Sequence, residues 1–221
     1  MEGAMKVKWL GHSCFLITAD SGLRVITDPY EPNFHGIISY APVKETADIV
    51  TISHHHGDHD YTKDIKGNFT VVEGSGIKTV NGIDFTGTSC HHDRVGGKER
   101  GPNTMFTFNI DGINTCHAGD LGHPLDNAVI KSLGKVDLLF IPTGGPAATL
   151  ELDEAISVWE KLKPALVIPM HFNNDKCNFT KYSAKDLVSH VPNVKKPGKT
   201  EIEIFSDSLP KGEMWILDHA L

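Results

Sequence analysis

The sequence predicts an α/β fold in which two β-sheets pack together and helices cover them. Three observations carry this. Short apolar or alternating runs bounded by turn residues fill the first half of the chain. In the second half such runs alternate with segments of helical spacing. With 221 residues, the chain can bury a real core as one domain, 1–221, without a disulfide or metal staple.

Taken in order, Lys6–Leu10 and Cys14–Thr18 are strands flanking a Gly11-His12-Ser13 corner, and Leu23–Thr27 is a third ending at Asp28-Pro29. Asp48–Ser53 is a β-branched run of the kind buried within a sheet. Phe69–Glu73, Ile77–Val80, Ile83–Thr88, Thr104–Ile110 and Ile113–His117 continue the pattern, the last two joined by Asp111-Gly112, a hairpin signal. Val136–Ile141 and Ala165–Met170 are further buried strands. Between them Leu152–Leu162 is a helix, apolar at 152, 155, 156, 159 and 162 and stopped by Pro164. Ser183-Ala-Lys-Asp186 has capping-box spacing and opens a helix through His190. Glu201–Phe205 and Glu213–Leu217 are expected to close the fold as a hairpin. Met1-Glu-Gly-Ala, ahead of a second methionine at position 5, reads as an extension that need not be native or ordered.

Composition narrows the function. The net charge is −7 with no basic run, which argues against a nucleic-acid or membrane-surface partner. No apolar stretch reaches the length of a membrane span. Four cysteines without a CxxC pair read as reduced, buried thiols, and a cytoplasmic setting is expected. The outlying number is thirteen histidines, spread from His12 to His219 rather than gathered in a terminal tag.

The histidines cluster where a core strand ends. His54-His55-His56-Gly57-Asp58-His59-Asp60 follows the run 48–53 directly. His54 and His56 point the same way in extended backbone, and Gly57 permits the turn that brings Asp58 and His59 next. Four ligand-type side chains within 54–59 exceed what one structural zinc takes from a single short segment. Alone, such a cluster also fits a polar surface loop. Partners elsewhere decide against that: Cys90-His91-His92-Asp93, Gly119-Asp120 and Met170-His171 each lie just past an apolar β run. Strand ends meeting at one rim are how α/β proteins build sites.

The pattern His54-x-His56-x-Asp58-His59, then His92, Asp120 and His171, resembles the metallo-β-lactamase superfamily over nearly the whole chain. Gly11-His12-Ser13, Thr27-Asp28-Pro29, His117-Ala-Gly-Asp120 and Met170-His171-Phe-Asn173 resemble its branch of small metal-dependent hydrolases that includes the ascorbate-phosphate lactonases. The resemblance implies a four-layer αββα sandwich and two metal sites. His54, His56 and His92 would hold one ion, Asp58, His59 and His171 the other, and Asp120 would bridge them. Of the adjacent pair His91 and His92, the second matches the His-Asp pair of this branch, and His55 falls at a variable position expected to face away.

Two divalent ions, zinc foremost with manganese, iron or nickel as alternatives, would lower the pKa of bound water to about 7 and place it between ions roughly 3.5–4 Å apart. Asp58 would orient that nucleophile or take its proton. The resemblance places His12 and Asp28 beneath the site as orienting groups, against a plain hairpin corner and a Pro-turn. His123 could reach substrate or be a turn residue; His117 is expected in the core, and His190 and His219 on the surface. Arg94, Lys98 and Arg100, in a Gly-rich segment expected to be flexible, could clamp an anion or simply be solvated. The expected activity is hydrolysis of a small, anionic ester, lactone or phosphoester. Competing readings are a metal-binding regulator without turnover, an RNA-processing nuclease of the same superfamily, and an iron-dependent redox enzyme; a homo-oligomer is compatible with all of them.

Overall fold

Leu10, Cys14, Ile26, Val50 and Ile52 pack on one face of a sheet, and Val7, Phe15, Ile17, Val25 and Ile49 on the other. Strands buried on both sides follow from the near-continuous apolar runs in the sequence. The computed structural model describes residues 3–146 and 149–221, so Met1 and Glu2 of the expected extension lie outside the described residues.

The chain runs through β1 (Met5–Gly11), β2 (Cys14–Thr18), β3 (Arg24–Thr27), β4 (Ile49–Ile52), β5 (Thr70–Glu73), β6 (Gly76–Val80), β7 (Ile83–His91), β8 (Pro102–Ile110) and β9 (Ile113–His117). It continues as α1 (Asn127–Leu133), β10 (Leu138–Pro142), α2 (Leu152–Leu162), β11 (Leu166–Met170), α3 (Ala184–His190), β12 (Val194–Lys195), β13 (Glu201–Ile204) and β14 (Glu213–Trp215). The first sheet has the order β13-β1-β2-β3-β4-β5, the second β12-β14-β11-β10-β9-β8-β7-β6. Both are mixed: β3, β4 and β5 are parallel in the first, and β9, β10, β11 and β14 in the second.

The sheets meet face to face. Phe15 of β2 and Phe140 of β10 lie 4.2 Å apart, centroid to centroid, across the sandwich. Outside the second sheet, α2 buries Leu152, Ala155, Val158 and Leu162, and its capping box pairs Glu151 with Glu154. Outside the first sheet, a second apolar cluster is closed by Tyr30, Ile38, Tyr40, Val43 and Ile65 from the irregular segments 29–47 and 61–69. No helix among the described residues is long and apolar enough to cross a membrane.

Several elements differ from expectation, the short strand β12 among them. The closing hairpin does not form. β13 pairs antiparallel with β1, Ile202 opposite Val7, while β14 pairs parallel with β11 in the other sheet. Each strand buries its apolar face more fully at a separate sheet than two short strands could against each other. The helix α1 was not expected: seven residues give only two turns, too short for a periodicity to stand out, although Asp126 caps it by accepting the Val129 N–H at 2.8 Å. Finally, β7 runs on to His91, and that extension matters for the site.

Candidate metal centre

Every cluster of chemistry-bearing residues leaves the carboxyl end of a strand. His12 sits in the β1–β2 corner, Asp28 follows β3, and His54–Asp60 follow β4. His92 follows β7, Asp120 lies beyond β9, and His171 follows β11. Because β3 and β4 are parallel, as are β9, β10 and β11, these ends share one rim of the sandwich.

The rim brings all seven ligand-type residues together. The rings of His54, His56 and His92 face one another at centroid separations of 4.7, 4.8 and 5.1 Å. Beside them, His12, Asp58, His59 and His171 offer ligand atoms all within 4.8 Å of one another. Asp120 lies between the two groups: its Oδ2 is 3.2 Å from the Nε2 of each of His59, His92 and His171. Strand alternation decides between the adjacent histidines, for Cys90 is buried, His91 exposed and His92 buried. His55 faces out, 3.2 Å from Asp60.

A second ring of contacts holds these groups. Asp28, fully buried, accepts the Ser53 N–H at 2.8 Å on Oδ1; on Oδ2 it accepts the Ser53 hydroxyl at 2.5 Å and the His59 Nδ1–H at 2.9 Å. Ser53 Oγ in turn lies 2.9 Å from His54 Nδ1. His12 Nε2 is 3.2 Å from Asp58 Oδ2, so the corner histidine braces a carboxylate rather than another histidine. Asn103 of β8 accepts the Asp120 N–H at 3.0 Å and anchors itself by donating to the Ala118 carbonyl. His117 is a core group, as expected, donating from Nε2 to Ser13 O at 2.9 Å and accepting the Gly119 N–H.

Electrostatics fit a cation. Among the described residues, the buried carboxylates Asp28, Asp58 and Asp120 have only imidazoles as ionic partners. Burial opposes the ionisation of Asp58, but His59 and His12 outweigh it and hold its carboxyl well below the usual range. For Asp120, burial is likewise outweighed, by His171, His59 and His92. Burial lowers His59, yet Asp120 and Asp58 raise it well above the ordinary histidine value. By contrast, burial and the charge of His59 push His54 down to about 3, leaving it a neutral imidazole. Asp120 Oδ1, His59 Nε2 and both ring nitrogens of His171 are buried without a hydrogen bond. Buried polar atoms left without a hydrogen bond beside ionised carboxylates are costly, and imidazole with carboxylate oxygen is a donor set for divalent first-row metals.

Other expectations resolve differently. Arg94 is engaged within the protein: its guanidinium forms a two-pronged ion pair with Glu154 of α2, one contact at 2.8 Å. His123 is engaged at both nitrogens, accepting the His91 N–H and donating to the Pro124 carbonyl. His219 is half-buried, 2.9 Å from Asp175 and edge-on to Trp9. His190 is exposed. Arg100 borders a cavity of about 690 Å³ beside His54, His55 and His56. The Gly-rich segment is not loose. Asp93 accepts four backbone N–H groups, those of Val95, Gly97, Glu99 and Arg100, at 2.7–2.9 Å, so one carboxylate gathers the loop. Asp93→Ala is expected to speed amide exchange at these four positions by roughly tenfold or more, given the strength of hydrogen bonds to a charged acceptor. Hydrogen-exchange mass spectrometry over 94–101 checks this, and unchanged exchange would refute the tether.

Ser53, Asn103 and the tether role of Asp93 were not singled out from the sequence. The signal was present for Ser53 only in its place, a hydroxyl between a buried strand and the first ligand-type histidine.

Two face-packed mixed sheets carrying a histidine–aspartate rim at their strand ends define the metallo-β-lactamase type of α/β sandwich. The chain belongs to the beta-lactamase superfamily domain family, whose profile matches residues 6–171. A UPF0173 metal-dependent hydrolase of Thermococcus onnurineus is 30% identical over 194 residues, spanning 76% of this chain and 85% of that protein. One from Nanoarchaeum equitans is 32% identical over 194 residues, spanning 76% and 84%. A crystal structure from Thermotoga maritima, of a protein provisionally named a zinc-dependent hydrolase of the metallo-β-lactamase superfamily, matches with a TM-score of 0.79 at 31% identity, covering 96% of this chain and 98% of that one.

Proposed function

We propose that the chain is a metal-dependent hydrolase with a binuclear centre, acting on a small anionic ester, lactone or phosphoester. His54, His56 and His92 would hold one ion, Asp58, His59 and His171 the second, and Asp120 would bridge them. The observation that carries the reading is the position of Asp120 Oδ2, equidistant at 3.2 Å from histidines of both groups. The names of the relatives support hydrolysis as the reaction.

Bound divalent ions supply a water of lowered pKa and polarise the carbonyl or phosphoryl group under attack. The chain's own contribution is order. Asp58, ionised and braced by His12, would orient the attacking water. Asp28 fixes the ring of His59, and Asn103 fixes the backbone of Asp120. The cavity of about 690 Å³ beside His54–His56, bordered by Lys78, Arg100 and Glu73, offers room for a small substrate.

Metal analysis and a substrate panel test this. Protein purified without added metal is expected to carry about two divalent ions per chain. Chelation should abolish hydrolysis of a generic phosphodiester or lactone, and zinc or manganese should restore it. A chelated chain that still turned over the same substrates would overturn the proposal.

A further inference from the structure

The hydrogen bonds around Asp28 fix more than a ring orientation, because their proton count closes. An ionised, buried carboxylate can only accept. The Ser53 N–H lies 2.8 Å from Asp28 Oδ1, and Ser53 Oγ and His59 Nδ1 lie 2.5 and 2.9 Å from Oδ2, so three donor groups converge on this carboxylate. Ser53 Oγ lies 2.5 Å from Asp28 Oδ2, so the single hydroxyl proton of Ser53 is committed to Asp28. That leaves Ser53 Oγ only lone pairs to offer His54 Nδ1, 2.9 Å away. His54 must therefore carry its proton on Nδ1, and its Nε2 is a bare lone pair directed toward His56 and His92. The second branch is direct: His59 Nδ1–H donates to the same Oδ2.

We infer that Ser53 is a positioning residue that relays Asp28 to His54, so that one buried carboxylate presents the Nε2 of one histidine from each ion site. The inference rests on the binuclear reading above and deepens it, since the two sites then share an anchor with unequal arms. The arm to His59 is a single charge-assisted bond; the arm to His54 passes through a hydroxyl and can be cut without touching the other. Geometry makes the relay rigid: the Ser53 N–H donates to Asp28 Oδ1 at 2.8 Å, so residue 53 is held to Asp28 by main chain and side chain together. Ser53 is buried, and its hydroxyl lies within hydrogen-bond distance of both Asp28 and His54.

The test uses the full chain, first free of metal. Long-range proton–nitrogen correlation spectra should report His54 as the Nδ1–H tautomer in the parent. That population should drop in Ser53→Ala and return in Ser53→Thr, which keeps the hydroxyl. Calorimetric titration with zinc alone should then show two ions in the parent. Ser53→Ala should bind one ion with parental affinity and the other about 10–100-fold more weakly, the usual cost of losing an outer partner of a ligand histidine. Asp28→Asn should weaken both. An Nε2–H tautomer at His54 in the parent, or parental affinity at both sites in Ser53→Ala, overturns the relay. A parent chain that takes up fewer than two zinc ions overturns the binuclear reading instead, and the tautomer spectra still decide the role of Ser53.

Discussion

Asp120→Ala is expected to leave a folded chain that holds at most one divalent ion and has lost hydrolytic activity by about 10³-fold or more, the equivalent of several kcal/mol of charge stabilisation. Among the described residues, the Asp120 carboxylate has a single oxygen that reaches histidines of both clusters, at 3.2 Å in each case. On the proposed binuclear reading, its removal would uncouple the two ion sites. Folding should survive for a specific reason. In the ion-free chain Asp120 makes no hydrogen bond through Oδ1, and its backbone N–H still reaches Asn103 after truncation. The loss of its charge also lowers the number of buried carboxylates that must be compensated. Metal content by mass spectrometry, circular dichroism and turnover on the same preparation separate the outcomes. Two ions and parental activity in this variant would refute the bridge.

Gly119→Ala is expected to be the more damaging change to stability, although it adds one methyl group. Gly119 has φ +55°, in the left-handed region, which costs an alanine about 1–2 kcal/mol. A Cβ there would lie 2.4 Å from Asn103 Oδ1 and 2.6 Å from Ser53 Cβ. Neither neighbour can yield cheaply. Asn103 carries the Asp120 backbone and Ser53 is tied to Asp28, and overpacking of this kind costs about 1–3 kcal/mol. Together these shift the midpoint of thermal unfolding down by roughly 5–15 °C for a chain of this size. The same displacement moves the supports of His54 and Asp120, so metal affinity should fall with stability. Thermal unfolding with and without zinc checks both parts; an unchanged midpoint would mean that the backbone relaxes around the methyl group.

These two residues differ in how far the sequence announced them. Asp120 was legible because it follows an apolar run and stands in order with His54, His56, Asp58, His59, His92 and His171, a sequence of donors that chance seldom assembles. His12 and Asp28 were legible for the same reason, each at a strand end. The constraint on Gly119 was not, since it arises from Ser53, just past β4, and Asn103 of β8, both distant in sequence. Arg94 stood open between an anion clamp and a solvated charge because its partner, Glu154, lies 60 residues away on a helix that packs beside the loop. The Gly-rich segment looked mobile because nothing in a run of glycines reveals that Asp93 will accept four of its neighbours' amides.

The amino-acid order alone determined the class of fold and the donors: apolar periodicity says which segments become strands, and ligand chemistry says which side chains can hold a cation. Tertiary structure decided everything that depends on two distant segments arriving together. It sent β13 and β14 to different sheets, turned His92 inward and His91 out, and joined Ser53 to Asp28. The reason is physical. A residue's propensity is written locally, whereas a hydrogen bond or a steric contact belongs to a pair, and the partner is known only once the sheets have closed.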